Sequence, residues 1–325
     1  MNTIKKQTPL LEILVRFWSG NPLYPLILLL MGLIVVLEIM QPGIVNARWL
    51  GNTVRFAIPL AMLAACQTLT MLTGGIDLSA GTVATITAFV TATLAPMFGV
   101  PAAISIALLC AMIAGLVNGF GVAVCRVHPL IMTLGTGLIV TGCLLVYQRY
   151  VISTGTEIPA FLIWLGTGRT WGLPNGLVLF LPFAALIIWG QRRTGFGRLL
   201  YAIGSNETAA RFSGVRLWQV HLGLYGLSGM IAGVTGLVYL GIVKTPSLSL
   251  ALPLDLPSVA AAVIGGTSIF GGRGGYGGTV VGALILTVLA TMLTLMQLPE
   301  GARRILFGLI ILAVTALYVR MTDRS

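Results

Sequence analysis

Long apolar runs separated by short polar connections make up most of this chain. A helix needs about 20 apolar residues to cross a bilayer, and windows of that length predict ten spans. They lie near residues 22–40, 55–73, 78–97, 101–122, 129–147, 172–190, 219–241, 256–271, 276–296 and 303–319. The eighth is short and interrupted by glycine, which is typical of a broken or re-entrant helix. The pattern predicts an all-α polytopic membrane protein with about ten transmembrane helices, some of them broken or kinked at glycine.

The distribution of Lys and Arg predicts the orientation of these spans. With the N-terminus inside, the inside segments carry 12 basic residues and the outside segments carry 7. Because translocated loops are poor in Lys and Arg, this excess favours a cytoplasmic N-terminus. Residues 1–21 would then be a cytoplasmic segment, residues 22–320 a single transmembrane domain, and residues 321–325 a cytoplasmic tail. Arg303 and Arg304 fit least well, since they fall in an outside segment.

Composition excludes a soluble protein. Hydrophobic residues make up 57% of the 325 residues and charged residues only 8%, too few to cover a soluble domain. The net charge of +11 resides at the ends of apolar runs. That placement is typical of topology signals and contacts with membrane lipid, so we expect no nucleic-acid partner. The four cysteines have no CxxC spacing, and we expect them to be packing residues rather than metal ligands.

One polar island, residues 191–218, interrupts the apolar pattern. It carries five arginines and one acid, Glu207, and the bias of basic residues predicts that it is a cytoplasmic loop. Within it the sequence NETAAR, residues 206–211, predicts one or two turns of helix, with Asn206 accepting from the first free backbone N–H groups. A short ordered helix in such a loop offers a docking point to a cytoplasmic partner. An amphipathic helix lying on the membrane is the alternative.

The ionisable residues do not predict a catalytic site. None of the eight Asp and Glu residues lies near the centre of a predicted span, where an intramembrane enzyme or a proton-coupled carrier needs such groups. The sequence contains no HExxH motif, no paired-carboxylate helix and no Ser-His-Asp motif, so we expect no catalytic residue and no metal site. It also lacks GxxxxGK[ST]. If the chain moves a solute with ATP, the ATPase is therefore another polypeptide.

Two predicted spans carry stripes of small residues. The stripes are Ala80, Ala84, Ala88 and Ala92 in the third span, and Gly229 and Gly233 in the seventh. Small side chains on one helical face let the backbone of a neighbouring helix approach closely. The stripes predict tight helix packing, which a static bundle would show as well as a transporter.

Glycine-rich stretches occupy residues 71–83 and 263–283. Glycine pairs at membrane depth break helices, which is tolerated where protein or a water-filled cavity satisfies the freed backbone groups. Asp77 is predicted to cap a helix that begins at Leu78, accepting from the N–H of Ser79 or Ala80. A direct role in a translocation path is the alternative. The candidate path or hinge residues are Gly74, Gly75, Asp77, Ser79, Gly265 and Gly266.

Four segments of the chain together carry a family resemblance. They are TGGIDLSAGTV (residues 73–83), HPLIMTLGTGLIVTG (128–142), GFGRLLYAIGSNETAARFSGV (195–215) and SVAAAVIGGTSIFGGRGG (258–275). In this order they resemble the signature blocks of the permease subunits of ribose/xylose-type bacterial ABC sugar importers. The resemblance spans nearly the whole chain, and the combination is specific although each glycine-rich block alone is weak.

The resemblance implies a bacterial inner-membrane permease that works with other proteins. An extracytoplasmic binding protein would deliver a pentose, hexose or related polyol, and two permease subunits, identical or paralogous, would form the path. ATP and Mg would bind to a separate ATPase, so this chain would hold no cofactor. The island would be the coupling element that docks on the ATPase, with Arg211 pairing with an acid there. Its matching residues, with the island's one acid, are Gly204, Asn206, Glu207, Ala209, Ala210, Arg211 and Gly214.

The chain departs from the family pattern at one place. Where many relatives read Glu-Leu-Asp, this chain has Asp255, Leu256 and Pro257, so a role of the second acid does not transfer. Pro257 suits the first turn of a helix, and a purely local role in starting that helix is reasonable for this segment.

An outer loop and a choice among cargoes complete this interpretation. The loop at residues 148–170 is the candidate contact for the binding protein, through Arg149, Glu157 and Arg169. Nucleosides or branched-chain amino acids are alternative cargoes, since their permeases are related to the sugar permeases. A stand-alone channel or secondary carrier is an alternative from a different class, against which the scarcity of intramembrane charge and the coupling block both argue.

Overall fold

The computed structural model describes residues 23–151 and 155–299, together with residues 301, 302, 305, 306, 308, 309 and 312. Most of these residues are helical. The helices are α1 (Leu23–Met40), α2 (Ala47–Met71), α3 (Ala80–Phe98), α4 (Val100–Ala123), α5 (Pro129–Val151), α6 (Ala160–Thr167), α7 (Gly176–Arg193), α8 (Gly195–Ser205), α9 (Glu207–Phe212), α10 (Leu217–Val243), α11 (Asp255–Ile264) and α12 (Tyr276–Leu295). An antiparallel hairpin of β1 (Arg169–Thr170) and β2 (Leu173–Pro174) lies between α6 and α7.

Eight helices within the described residues are long and apolar enough to cross a membrane, namely α1–α5, α7, α10 and α12. They correspond to eight of the ten predicted spans and confirm the all-α polytopic architecture. The predicted tenth span, residues 303–319, lies mostly outside the described residues. The predicted terminal segments 1–21 and 321–325 lie outside them entirely.

Helix α10 lies at the centre of the bundle and packs against α2, α3, α4 and α6. The predicted close approach occurs at its glycines. A Cβ on Gly229 would overlap the carbonyl oxygen of Ala111 in α4, and a Cβ on Gly236 would overlap that of Ala84 in α3. All four alanines of the α3 stripe are buried, none more than 1% exposed. The small residues thus bring backbones into contact, and dense van der Waals packing holds α10 to its neighbours.

The predicted third and eighth spans differ from regular membrane helices. Residues 72–79 are not helical, so α3 begins at Ala80 and the predicted start at Leu78 is wrong. The predicted span at 256–271 forms only the 10-residue helix α11, entered through a 3-10 turn at Leu252–Leu254. At 1.5 Å per residue α11 rises about 15 Å, roughly half of a hydrocarbon core of about 30 Å. This short helix, followed by the turn at Gly265 and Gly266, matches the expectation of a broken segment.

The connections between helices gather at two ends of the bundle. The island end carries residues 191–218, and the turns at 72–74, 124–128 and 271–275 lie beside them. The opposite end carries the β-hairpin, α6 and the junction of α3 with α4. If the ten predicted spans alternate in direction across the membrane, all the connections of one group lie on one side and those of the other group on the other side.

The predicted outer loop, residues 148–170, contains more regular structure than a loop. α5 continues to Val151 and α6 follows at Ala160–Thr167. Pro96 in α3 has no N–H, which frees the carbonyl of Ala92, and the backbone N–H of Glu157 donates to that oxygen over 2.9 Å. The Arg169 side chain donates to Asn52 Oδ1 over 2.8 Å, at the start of α2. The segment is therefore tied to the bundle at two points.

Candidate coupling and translocation site

The helix predicted within the polar island is present as α9. Asn206 is its N-cap, and its side-chain oxygen accepts from the backbone N–H of Ala209 over 2.9 Å, as predicted. Ala210 is buried against the protein, whereas Glu207, Ala209 and Arg211 are exposed. α9 therefore presents small and charged side chains outward from the island end.

The turn after α9 depends on glycine. Gly214 has a φ of +84°, in the left-handed region where a side chain is strained. Its N–H donates to the carbonyl of Arg211, and the next N–H, of Val215, donates to that of Ala210, both over 3.1 Å. These bonds close the C-terminus of α9 and lead directly into α10. Phe212, which sequence reasoning missed, is 87% exposed there; an aromatic residue among small ones was the available signal.

The last turn of α8 makes an unusually close contact with the rest of the protein. A Cβ on Gly204 would overlap the carbonyl oxygen of Leu72 and the backbone nitrogen of Gly272, so glycine is needed for these backbones to meet. The N–H of Gly272 donates to the same Leu72 oxygen over 3.0 Å. Gly271 and Gly272 have φ of +92° and +71°, a region that favours glycine. We call residues 72–74, 204 and 271–272 the glycine junction. It joins the island to both glycine-rich stretches.

Polar side chains of the island reinforce the glycine junction. The Tyr201 hydroxyl donates to the carbonyl of Gly274 over 2.8 Å, and the N–H of Tyr276 donates to Gln191 Oε1 over 3.0 Å. Burial raises the pKa of Tyr201 above its ordinary value, consistent with a hydroxyl that donates this bond. α7 and α8 are thereby fastened to the turn that precedes α12.

Asp77 lies in the non-helical segment 72–79 and is only 2% exposed. Its Oδ1 accepts from the N–H and the hydroxyl of Ser79, over 3.1 and 2.6 Å, and its Oδ2 accepts from the hydroxyl of Ser228 in α10 over 2.6 Å. The predicted bond from the Ser79 N–H is therefore present. The helix starts later than predicted because this side chain holds residues 77–79 in a turn of their own. The first N–H bonded back to Ser79 is that of Val83, over 2.8 Å.

Side chains from several helices hold the rest of segment 72–79. In α2, Gln67 donates to the carbonyl of Asp77 over 2.7 Å and accepts from its N–H over 3.2 Å. Asn118 in α4 donates to the hydroxyl of Ser79 over 2.8 Å, and Thr133 in α5 accepts from the N–H of Leu78 over 3.1 Å. Irregular backbone inside a membrane bundle needs such partners. Sequence reasoning missed them because each lies on a different span.

Asp255 meets the start of α3. Its Oδ1 accepts from the backbone N–H of Gly81 over 2.6 Å, across 174 positions in the sequence. The first N–H groups of a helix have no partner within it, and Ser79 makes no side-chain cap for α3. Asp255 begins α11, with Pro257 in its first turn as predicted. The purely local role expected for this segment is nevertheless wrong, because the carboxylate also caps α3.

The remaining glycines of the predicted path serve turns and close contacts. Gly74, with φ +78°, lies in the glycine junction, and Gly266, with φ +86°, turns the chain after α11. A Cβ on Gly75 would lie 2.6 Å from the Tyr225 hydroxyl, and one on Gly265 would overlap the backbone of Thr279 in α12. The structure thus places Gly74, Gly75, Asp77 and Ser79 in one segment and Gly265 and Gly266 at the end of α11.

The residues predicted to contact a binding protein lie apart from the glycine junction. Arg149 lies in the last turn of α5, Glu157 precedes α6, and Arg169 lies in β1. All three are exposed and belong to the opposite end of the bundle. Arg169 is held against α2 by its bond to Asn52.

The fold and the site define a class of protein. A bundle of apolar helices contains two broken segments that meet at the half-buried carboxylate of Asp255, and it displays a short capped helix at one end. This is the architecture of a membrane transport subunit. A family model described as branched-chain amino acid transport system / permease component matches residues 49–315, and the chain belongs to this family of multi-pass inner-membrane permeases.

Curated relatives match over most of the chain. The ribose import permease protein RbsC of Escherichia coli (strain K12) is 32% identical over 287 residues, covering 87% of this chain and 89% of the relative. The fructose import permease protein FrcC of Rhizobium meliloti is 30% identical over 319 residues, covering 95% and 88%. The autoinducer 2 import system permease protein LsrC of Escherichia coli O9:H4 (strain HS) is 31% identical over 288 residues, covering 87% and 84%. No solved structure gives a significant match.

Proposed function

We propose that this chain is the membrane subunit of an ATP-driven importer whose cargo is a pentose, a hexose or a related polyol. The relatives named above import ribose, fructose and autoinducer 2 by name, and each aligns over at least 84% of its own length. The glycine junction is the observation that supports coupling of this subunit to an ATPase. It connects the displayed helix α9 to the broken segments inside the bundle.

The ATPase-coupling surface consists of α9 and its flanks. Its residues are Gly204, Asn206, Glu207, Ala209, Ala210, Arg211 and Gly214. Small exposed side chains let a partner groove approach the helix backbone, and Arg211 offers a planar set of donors to a carboxylate there. Phe212 adds an aromatic anchor of the kind that concentrates binding energy at interfaces. A force on α9 would reach segment 72–79 and the turn at 265–275 through Gly204.

The translocation path runs along the broken segments. Its candidate lining and hinge residues are Gly74, Gly75, Asp77, Ser79, Gly265 and Gly266. Discontinuous helices near the membrane midplane are a common element of transport sites, since their free backbone groups face a cavity. α3 and α11 both begin inside the bundle and are joined through Asp255 and Gly81. Movement of the glycine junction would separate these two helices and open the path.

The transport cycle requires partners at both ends of the bundle. A separate ATPase would bind ATP and Mg and dock at the island end, so this chain contributes no catalytic residue, metal site or cofactor site. An extracytoplasmic binding protein would deliver the sugar to the opposite end, where Arg149, Glu157 and Arg169 are candidate contacts. A second permease, identical or paralogous, would complete the path within the lipid bilayer.

The membrane topology follows from the same proposal. Ten spans with a cytoplasmic N-terminus put the coupling loop, residues 191–218, on the cytoplasmic side, where the excess of basic residues also places it. The permease domain would then extend over residues 22–320, with segments 1–21 and 321–325 in the cytoplasm. We infer no nucleic-acid partner, because the basic residues are explained by topology and lipid contacts.

Reconstitution into liposomes with the ATPase and the binding protein tests the coupling assignment. We expect Arg211→Glu to abolish ATP-driven uptake and to weaken co-purification of the ATPase, without lowering the yield of folded permease. Arg198→Glu is the matched control, because Arg198 is exposed on α8 in the same island but lies outside the coupling surface. Full uptake by Arg211→Glu would disprove the assignment, and uphill uptake without any ATPase would overturn the importer itself.

Branched-chain amino acids are the second candidate cargo, because the description of the matching family names them. Calorimetric titration of the cognate binding protein with pentoses, hexoses, nucleosides and branched-chain amino acids discriminates the alternatives. We expect binding of a sugar or polyol. Binding of leucine, isoleucine or valine with no binding of any sugar would assign the second cargo instead.

A further inference from the structure

A cavity of about 700 Å³ opens at the island end, beneath α9. Its walls come from the turn at 73–74, the α4–α5 connection at 122–129, α9 itself and the start of α10 at 215–221. Small-molecule sites in proteins commonly have volumes of about 300–1,000 Å³. The cavity is thus large enough for an organic ligand rather than for a few waters alone.

Basic side chains dominate the charged lining of this cavity. Arg126 comes from the α4–α5 connection, Arg211 from α9 and Arg216 from the residue before α10, and they face one acid, Glu207. Counting the three arginines and Glu207, the formal charge of the lining is +2. Within the described part of the chain, the three guanidinium groups have no hydrogen bond or ion pair. All three arginines are exposed to solvent. Three guanidinium groups that line one cavity raise the positive potential there and favour an anion.

A largely buried histidine adds a hydrogen-bonding side chain to the lining of this cavity. His221 lies in the first turns of α10, lines the cavity and is only 9% exposed. Its Nδ1 has no hydrogen-bond partner among the described residues. Nδ1 itself is fully buried, so a ligand in the cavity would contact the part of the imidazole ring that lines it. His128 lines the rim of the same cavity.

We propose that this cavity binds a phosphate group, in contact with Arg126, Arg211, Arg216 and His221. A phosphate presents several acceptor oxygens, which match the planar donor sets of two or three arginines and can also accept from an imidazole N–H. The volume left beside a phosphate admits an organic substituent. The phosphate therefore belongs either to a free small molecule or to the headgroup of an anionic lipid at the membrane surface.

Occupancy of the cavity would restrain the coupling helix. Arg211 and Glu207 belong to α9, and a ligand that links Arg211 to Arg126 and Arg216 would fix α9 against the α4–α5 connection. This regulatory consequence rests on the proposed coupling role of α9. The binding of phosphate does not depend on that role.

Titration of the purified full-length permease with inorganic phosphate tests the site. The protein is held in a neutral, lipid-free detergent, and chloride keeps the ionic strength constant because screening alone weakens surface electrostatics. We expect saturable binding by calorimetry and a rise in the apparent melting temperature. Arg126→Gln and Arg216→Gln should each weaken binding at least about tenfold, the loss of roughly one charge-assisted bond. Arg198→Gln, on the same island but outside the cavity, should leave binding unchanged.

A second arm distinguishes the sources of the phosphate group. The permease is placed in nanodiscs of phosphatidylcholine with or without phosphatidylglycerol, and the melting temperature is compared between the wild type and Arg126→Gln. Stabilisation by phosphatidylglycerol that depends on Arg126 assigns a lipid headgroup, whereas saturable binding of inorganic phosphate alone assigns a free ligand. The proposal is overturned if neither phosphate nor phosphatidylglycerol acts beyond chloride, or if Arg198→Gln loses as much as the cavity variants. Because no ATPase is present, that result would leave the coupling assignment standing.

Discussion

The carboxylate of Asp255, at the start of α11, accepts a hydrogen bond of 2.6 Å from the backbone N–H of Gly81, in the first turn of α3. A Cβ at position 81 would overlap that carboxylate. The contact therefore requires both an acceptor on one helix and a missing side chain on the other. It joins the two broken segments of the bundle at the starts of α3 and α11, in addition to the glycine junction.

We expect Asp255→Ala to destabilise the protein by about 1–3 kcal/mol, because the first turn of α3 loses its acceptor. Asp255→Asn should lose less, since its amide oxygen can still accept from Gly81. Glu157→Ala is the control, an acid whose side chain is exposed. The apparent melting temperature of the detergent-solubilised permease measures the effect, and equal melting temperatures for Asp255→Ala and wild type would refute the capping role.

We expect Gly81→Ala to change the stability of the protein in opposite directions in the wild type and in the Asp255→Ala variant. Alanine normally favours a helix over glycine by about 1 kcal/mol, yet in the wild type it should destabilise, because the new Cβ meets the Asp255 carboxylate. In the Asp255→Ala background the same substitution should be neutral or stabilising. A double-mutant cycle of melting temperatures measures this coupling. Additive effects of the two changes would contradict the contact.

Gly204→Ala should loosen the glycine junction. Its Cβ would overlap Leu72 and Gly272, and overpacking of this kind costs about 1–3 kcal/mol. Gly190→Ala in α7 is the matched control, because nothing lies within 4 Å of a Cβ there. We expect Gly204→Ala to lower both the melting temperature and ATP-driven uptake, and Gly190→Ala to change neither. Normal uptake by the Gly204 variant would show that coupling does not pass through this contact.

The sequence predicts the membrane helices of this fold well, because a local run of apolar residues indicates each of them. The bounds of α4, predicted at 101–122, lie within one residue of Val100–Ala123. The cap at Asn206 was predictable for the same reason, since its donor on Ala209 is three residues away. Local pattern and local structure coincide at these places.

The site is predictable only as a set of segments, because the contacts that assemble it are not local. Asp255 lies near the beginning of a short helix, and nothing in its neighbourhood shows that it caps a helix 174 positions earlier. The start of α3 was misplaced for a related reason, since Asp77 draws its partners from its own turn and from Ser228 in α10. Glycine frequency indicated that residues 71–83 and 263–283 break the helices, but not that Gly204 joins them.

Ala84→Leu tests the packing of α3 against α10. Ala84 is fully buried, and its carbonyl oxygen lies where a Cβ of Gly236 would be, so no space exists for a larger side chain at this crossing. We expect impaired assembly, with a lower yield of monodisperse protein and reduced uptake. Ala185→Leu, on an exposed position of α7, should be tolerated. Unchanged yield and transport for Ala84→Leu would show that this face contacts only lipid.

Ser228→Ala tests the link between Asp77 and α10. The substitution removes the hydroxyl that donates to Asp77 Oδ2 over 2.6 Å and leaves that oxygen of a buried carboxylate without its donor. A hydrogen bond to a charged group contributes about 1.5–3 kcal/mol, and we expect a loss of stability in that range. Thr141→Ala is the control, because its hydroxyl donates only to the carbonyl of Gly137 in its own helix and its loss should cost at most about 1 kcal/mol.

Asp77→Asn tests whether the negative charge of Asp77 matters beyond its hydrogen bonds to Ser79 and Ser228. The amide keeps one acceptor oxygen for Ser79, and its NH₂ group can donate to the hydroxyl of Ser228, which is both a donor and an acceptor. We therefore expect Asp77→Asn to retain more stability than Ser228→Ala. If uptake nevertheless falls as far in Asp77→Asn as in Ser228→Ala, the negative charge itself serves transport. If the loss of uptake parallels the loss of stability in Asp77→Asn, Ser228→Ala and Thr141→Ala, then Asp77 only holds segment 72–79 in place and has no direct role in transport.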